Sequence, residues 1–278
     1  MQAHSYLCID MKQFVLILFT LLCFSVFAAS GPAPKGPVAS APQSANDFFQ
    51  IGFSASNNGQ YDVAIKNYSL AIELDPNRIY FFYHRGLAHK AIGEKAQAIA
   101  DFNQCLSMKP IAEAYYEIAT FKYEDLDLRG AKEYFEKAKE LKDDVDKTNY
   151  YLGVINYRMN NFDSAEALLS HYVHLVKTNS DAFLYLALVK VKMHKFDEVT
   201  PMLKLAGLYN DNDWKLHLKM YDIYKEMGDK DNMLAHISMV IEMGQTKPEY
   251  YAIRAQLYLE RGENLRAEYD LQYAKGGK

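Results

Sequence analysis

The strongest constraint on this chain is that it repeats itself about every 34 residues. The segment NNGQYDVAIKNYSLAIELDPN (57–77) returns as AIGEKAQAIADFNQCLSMKP (91–110). Extending that register puts unit starts at Ala45, Ile79, Ala112, Asp146, Ser180, Trp214 and Pro248, so seven units cover 45–278. A fixed period of this size is the mark of a helical solenoid, in which each unit packs on its neighbours.

The residue types agree with two helices per unit. Helices cross closely only where side chains are small. Gly52, Gly86, Ala119, Gly153, Ala187 and Ala255 supply this in the first helices, and Ala64, Ala98, Ala131, Ala165 and Ala267 in the second. Tyr68, Phe102 and Phe135 are expected to fill the gap to the next unit. Gly59, Gly93, Gly228 and Gly262 fall where the first helix ends and a left-handed residue is wanted. Asp62, Asp163, Asp197 and Asp231 are placed as N-caps of second helices, and Pro76 and Pro110 stop two of them. The pattern weakens in the middle: Tyr172 and Val199 replace small residues, Pro201 lies inside a second helix, and Tyr221 and Met233 take both small slots of the sixth unit. That unit is expected to hold its helices further apart, with a local bend.

These units resemble the tetratricopeptide repeat. The resemblance is carried by Phe48, Ile51, Gly52, Ala64, Tyr68, Ala71 and Pro76 in the first unit. Phe82, Gly86, Ala98, Phe102 and Pro110 carry it in the second, and Tyr115, Ile118, Ala119, Ala131, Phe135 and Ala138 in the third. The last unit contributes Tyr251, Ala255, Tyr258, Ala267, Leu271 and Ala274. The resemblance implies an all-α, right-handed helical solenoid of about seven helix–turn–helix repeats, whose first helices line a concave groove for an extended peptide or a partner's helix. Helical spacing then puts Phe49, Phe53, Tyr80, Tyr83, His84, Tyr116, Tyr123, Tyr150, Tyr151, Tyr157, Leu184, Tyr185 and Leu188 on that face. Further along it turns charged, with Lys215, Lys219, Asp222, Lys225 and Glu226. Aromatic residues dominate interface energies and are costly to leave in water. Some family members clamp a C-terminal carboxylate with Lys and Asn. The corresponding positions here hold Phe49 and Phe53, with His84 and Glu117 nearby, so that clamp is missing.

Ahead of the repeats, 12–30 (KQFVLILFTLLCFSVFAAS) has the anatomy of a secretory signal peptide. Residues 1–30 are therefore read as a leader with Met11 as the expected start, because 1–10 carry Asp10 and no Lys or Arg. The apolar run falls short of the ~20 residues that span a bilayer comfortably, so no stable membrane span is expected after cleavage. Residues 31–44, rich in Pro, Ala, Gly and Ser, read as a linker. The expected location is outside the cytoplasm: periplasm or envelope in a double-membrane bacterium, secreted otherwise.

Composition removes other classes. With 31 basic and 35 acidic residues there is no nucleic-acid footprint. Beyond the leader only Cys105 remains, so no intramolecular disulfide is available, and its setting reads as a buried helix. No phosphate-cradling loop, zinc spacing or nucleophile–base set is visible, and no cofactor, metal or catalytic activity is expected. His171 and His174 share a helix face without a third ligand, and the sequon at Asn67 lies in a helix beside the buried Tyr68. The reading is an exported scaffold that binds a protein or peptide with an apolar or aromatic segment and helps assemble an envelope complex. A second expectation is self-association through the C-terminal repeat, where Gly276, Gly277 and Lys278 add no capping helix. The alternatives are carbohydrate binding through tyrosine stacking, in a polysaccharide export or processing system, and an accessory or diverged helical enzyme.

Overall fold

The computed structural model describes residues 44–141, 146–208, 210 and 212–276; the leader and nearly all of the linker lie outside the described residues. Those residues form fourteen α-helices and no strand. They are α1 (Ala45–Asn57), α2 (Tyr61–Leu74), α3 (Ile79–Ala91), α4 (Lys95–Met108), α5 (Ala112–Glu124), α6 (Leu128–Leu141) and α7 (Asp146–Arg158). They continue as α8 (Phe162–Leu175), α9 (Ser180–Lys192), α10 (Val199–Leu208), α11 (Trp214–Met227), α12 (Lys230–Glu242), α13 (Pro248–Glu260) and α14 (Asn264–Ala274). Consecutive helices pair, α1 with α2 through α13 with α14, and the second helix of one pair packs on the first of the next, except between α10 and α11. Among the described residues, no helix is long and apolar enough to cross a membrane.

Close crossing at small residues is visible in the glycines. A Cβ on Gly52 would lie 2.9 Å from the Tyr68 ring, on Gly86 2.7 Å from the Phe102 ring, and on Gly153 2.7 Å from Leu169 Cγ. The large residues thus close onto their own unit's glycine as well as reaching forward. The Phe135 ring stacks on Tyr151 of the next unit, centroids 5.0 Å apart at 10°. Tyr68, Phe102 and Phe135 are fully buried, each a contribution of roughly 1.5–3 kcal/mol from apolar burial.

The turn inside every unit contains one left-handed residue at the same repeat position. Gly59, Gly93, Gly228 and Gly262 do this, as their spacing predicts, but so do Leu126 (φ 62°), Asn160 (61°) and His194 (59°). The turn geometry is therefore uniform while its residue type is not, and units three to five hold it with a side chain present.

The N-cap expectation is corrected. α2, α8 and α12 begin two residues earlier than those aspartates require, because the residue right after the left-handed one already serves as the cap. Asp62, Asp163 and Asp231 consequently sit in the first turn, where a negative charge still suits the helix dipole. In the sixth unit the cap is Asp229, whose carboxylate accepts from the Asn232 N–H at 3.1 Å. Asp197 lies in a 3-10 turn, Phe196–Glu198, that precedes α10.

Pro201 explains that turn. Proline has no N–H to give and restricts the residue before it, so α10 keeps ten residues where α2 has fourteen. The stack loosens at the same place: α11 leans on α9 rather than along α10. A cleft of about 410 Å³ opens there, lined by Leu203, Lys204 and Gly207 of α10, His217 and Tyr224 of α11, and His236 of α12.

Candidate partner-binding groove

The residues expected on the groove face all sit on first helices, and the structure gathers their rings into two groups. In the first, spanning α1 and α3, Phe53 and His84 have centroids 5.5 Å apart, Phe49 and Tyr80 4.9 Å, and Phe49 and His84 5.3 Å. Tyr83 joins at 5.6 Å from His84. The second group runs across α5, α7 and α9. Tyr116 lies 6.1 Å from Tyr151, which lies 5.3 Å from Tyr123 and 5.4 Å from Tyr150. Tyr150 and Tyr157 in turn approach Tyr185 at 6.4 and 5.9 Å.

Not all of these residues offer surface. Phe53 and Tyr80 are 40% and 38% exposed. Tyr83, His84, Tyr116, Tyr123, Tyr150, Tyr151, Tyr157, Tyr185 and Leu188 are half-buried. Phe49 and Leu184 are corrected to core. Phe49 is enclosed by Phe53, Tyr68, Tyr80, Phe81 and His84, and Leu184 by the Phe183–Leu216 core. Both face the neighbouring unit, whose helix covers them.

Burial sets the electrostatics of this face. It pushes the phenols of Tyr83, Tyr116, Tyr123, Tyr150 and Tyr157 above their ordinary range, so they remain neutral hydroxyls. It pushes the His84 imidazole down, towards the neutral form. Several charges on the first helices are already matched. Lys90 holds Glu117 at 2.6 Å, Lys219 holds Asp181 at 2.7 Å, and Lys192 holds Glu226 at 2.7 Å. Two members of the expected charged end, Lys219 and Glu226, are thus tied back to the fifth unit, and Lys215 lies over the Trp214 ring at 5.8 Å.

Arg158 escaped the sequence reading. It ends α7 with its guanidinium 4.9 Å from the centroid of Tyr123, one unit back, and beside the hydroxyl of Tyr185, one unit ahead. Its position next to Tyr157, at the row where neighbouring units carry Glu124 and Lys192, was the available signal.

The other candidates resolve simply. Cys105 is fully buried, its Sγ donates to the Ile79 carbonyl at 3.4 Å, and burial pushes the thiol up to about 12. His171 and His174 are exposed, and among the described residues no group of three or more His, Cys, Asp or Glu could hold a metal ion. Asn67 lies in α2, its side-chain amide donating to the Val63 carbonyl at 2.8 Å.

Comparison with known proteins agrees with this architecture. The family model described as TPR repeat matches residues 57–93, and that described as Tetratricopeptide repeat matches 79–111. The Photosystem I assembly protein Ycf3 of Rippkaea orientalis is 35% identical over 66 residues, which is 23% of this chain and 38% of that protein. The chain thus spans about two fifths of that curated relative. A tetratricopeptide repeat protein from Parabacteroides merdae has a similar structure, with a TM-score of 0.62 and 18% identity, over 84% of this chain and 93% of that one. PilW, a type IV pilus biogenesis factor, is similar over 83% of this chain and all of its own, with a TM-score of 0.58 and 20% identity. The chain is a tetratricopeptide-repeat protein, by sequence over 57–111 and by fold across the described residues.

Proposed function

We propose that this chain is an exported, non-catalytic scaffold that holds an apolar or aromatic segment of a protein partner along its first helices, in the assembly or positioning of an envelope complex. One observation carries the partner class: rings from five successive first helices stay partly open to solvent, with Phe53 and Tyr80 more than a third exposed. A solenoid needs inward-facing rings for packing but gains nothing from leaving them wet. Export rests on the leader-like residues 12–30. The envelope role is supported by fold likeness to a pilus biogenesis factor, and self-association draws on Leu265 and Tyr269, 84% and 56% exposed on α14.

The test is a crosslinked pull-down from envelope extract, wild type beside Phe53→Ala/Tyr80→Ala/Tyr157→Ala with an unchanged helical melt. Proteins captured by wild type and lost in the variant support the groove. The same proteins retained by both would move binding to another surface, and sugar-dependent capture would favour the carbohydrate reading.

A further inference from the structure

We infer that Arg158 reads an anion in the groove: it receives the side-chain carboxylate of an Asp or Glu within the partner's extended apolar segment. This inference rests on the peptide-groove reading above and specifies the partner's chemistry.

Arg158 is exposed, and it is held by both adjacent units rather than by its own helix alone. The Tyr123 ring lies under the guanidinium at 4.9 Å, and the Tyr185 hydroxyl stands beside it. A cation stacked on a ring keeps its planar fork of N–H donors oriented and available at the edge. Partial burial works against its charge, and the hydrogen bond to the Tyr185 hydroxyl favours it.

What is missing is a counter-ion. Lys192 on the next first helix, and Lys90 and Lys219 further along, each hold a carboxylate. Arg158 has none within ion-pair distance among the described residues. The phenols around it stay neutral, so they supply hydroxyl donors without cancelling the charge. A fixed guanidinium among neutral hydroxyls matches a carboxylate, which accepts two parallel N–H bonds and further O–H bonds. One guanidinium balances one carboxylate charge, whereas a phosphate would leave charge over. The tyrosines also continue on both sides of Arg158, with Tyr116 and Tyr123 in the preceding unit and Tyr185 in the following one. A ligand crossing there presents a side chain with peptide running on in both directions, not a chain end.

The experiment pans the protein against phage-displayed random linear peptides, once displayed internally and once with a free C-terminus, using wild type, Arg158→Gln and Arg158→Glu. Wild type is expected to enrich internal peptides with Asp or Glu at a fixed distance from aromatic or aliphatic residues. Arg158→Gln should keep the apolar pattern and lose the acid, and Arg158→Glu should select Lys or Arg at that place. A synthetic consensus peptide should bind wild type about tenfold more tightly than its Asp→Asn counterpart, and Arg158→Gln without distinction. An apolar consensus without an acid, or an acid retained by Arg158→Gln, overturns the inference and leaves the groove reading standing. Enrichment only from the free C-terminal library overturns the choice of a side-chain carboxylate. No enrichment in any arm removes the groove reading and this inference with it.

Discussion

Arg254 and Asp270 hold each other through two hydrogen bonds of 2.7 Å, with the carboxylate side chain only 1% exposed. Arg85 and Asp101 occupy the same repeat positions five units earlier, with the same forked pairing at 2.9 and 2.7 Å. Each pair pins a first helix to its own second helix. Removing one partner of a buried pair strands the other charge, at a cost of about 3–5 kcal/mol. Asp270→Ala should lower stability by about that amount in urea denaturation followed by circular dichroism. Arg254→Met/Asp270→Leu, which removes both charges, should restore most of it.

Leu126 is the position where a residue change should help. It sits at φ 62° and is 72% exposed, so its side chain gives little packing in return for the strain. A left-handed residue bearing a Cβ costs roughly 1–2 kcal/mol, part of which glycine returns as unfolded-chain entropy. Leu126→Gly should raise stability by about 0.5–1 kcal/mol, and Gly59→Leu should lower it.

Gly86→Ala tests the close crossing. The added methyl would stand 2.7 Å from the Phe102 ring, a fully buried side chain with little room to move. Overpacking of this kind costs about 1–3 kcal/mol. Pairing it with Phe102→Leu should give a smaller loss than the two single changes summed, read from the same denaturation curves.

The half-buried His84 predicts a pH dependence. Its folded pKa is depressed by burial, so the unfolded chain binds the proton more readily. Its contribution is fully present above the ordinary histidine pKa of about 6.5 and declines as pH falls through that value towards the folded one. Melting temperature should therefore drop between neutral and mildly acidic pH, and His84→Gln should flatten that part of the profile.

Cys105 should be inert in the folded protein. Its thiol is fully buried, with a pKa pushed up to about 12, so little thiolate exists at pH 8. A thiol-reactive chromophore should label it only after denaturant is added.

The periodicity of small and large residues carried the helical solenoid, because one repeat design satisfies the same packing constraint at every step. Turn chemistry was legible only where it took its commonest form. Gly59 and Gly93 announce a left-handed residue, but Leu126, Asn160 and His194 do the same work under geometric compulsion from both flanking helices. The aspartates near second-helix starts were read as caps because composition shows that an acid is near a helix start, not which turn it occupies. In the groove, ring positions followed from helical spacing. The burial of Phe49 and Leu184 and the isolation of Arg158 did not, since both depend on what the adjacent unit brings up against them.

The shortened α10 has a mechanical consequence. In a masonry arch, one tapered block decides where the curve changes and where the arch cracks first under load. The fifth unit is such a block: its outer helix opens with a 3-10 turn in place of the first α-helical turn, and a cleft stands where the next course would bear on it. Force or partner strain applied along the stack should concentrate at that joint, so that units one to five and units six and seven respond as two stiff spans about a softer seam.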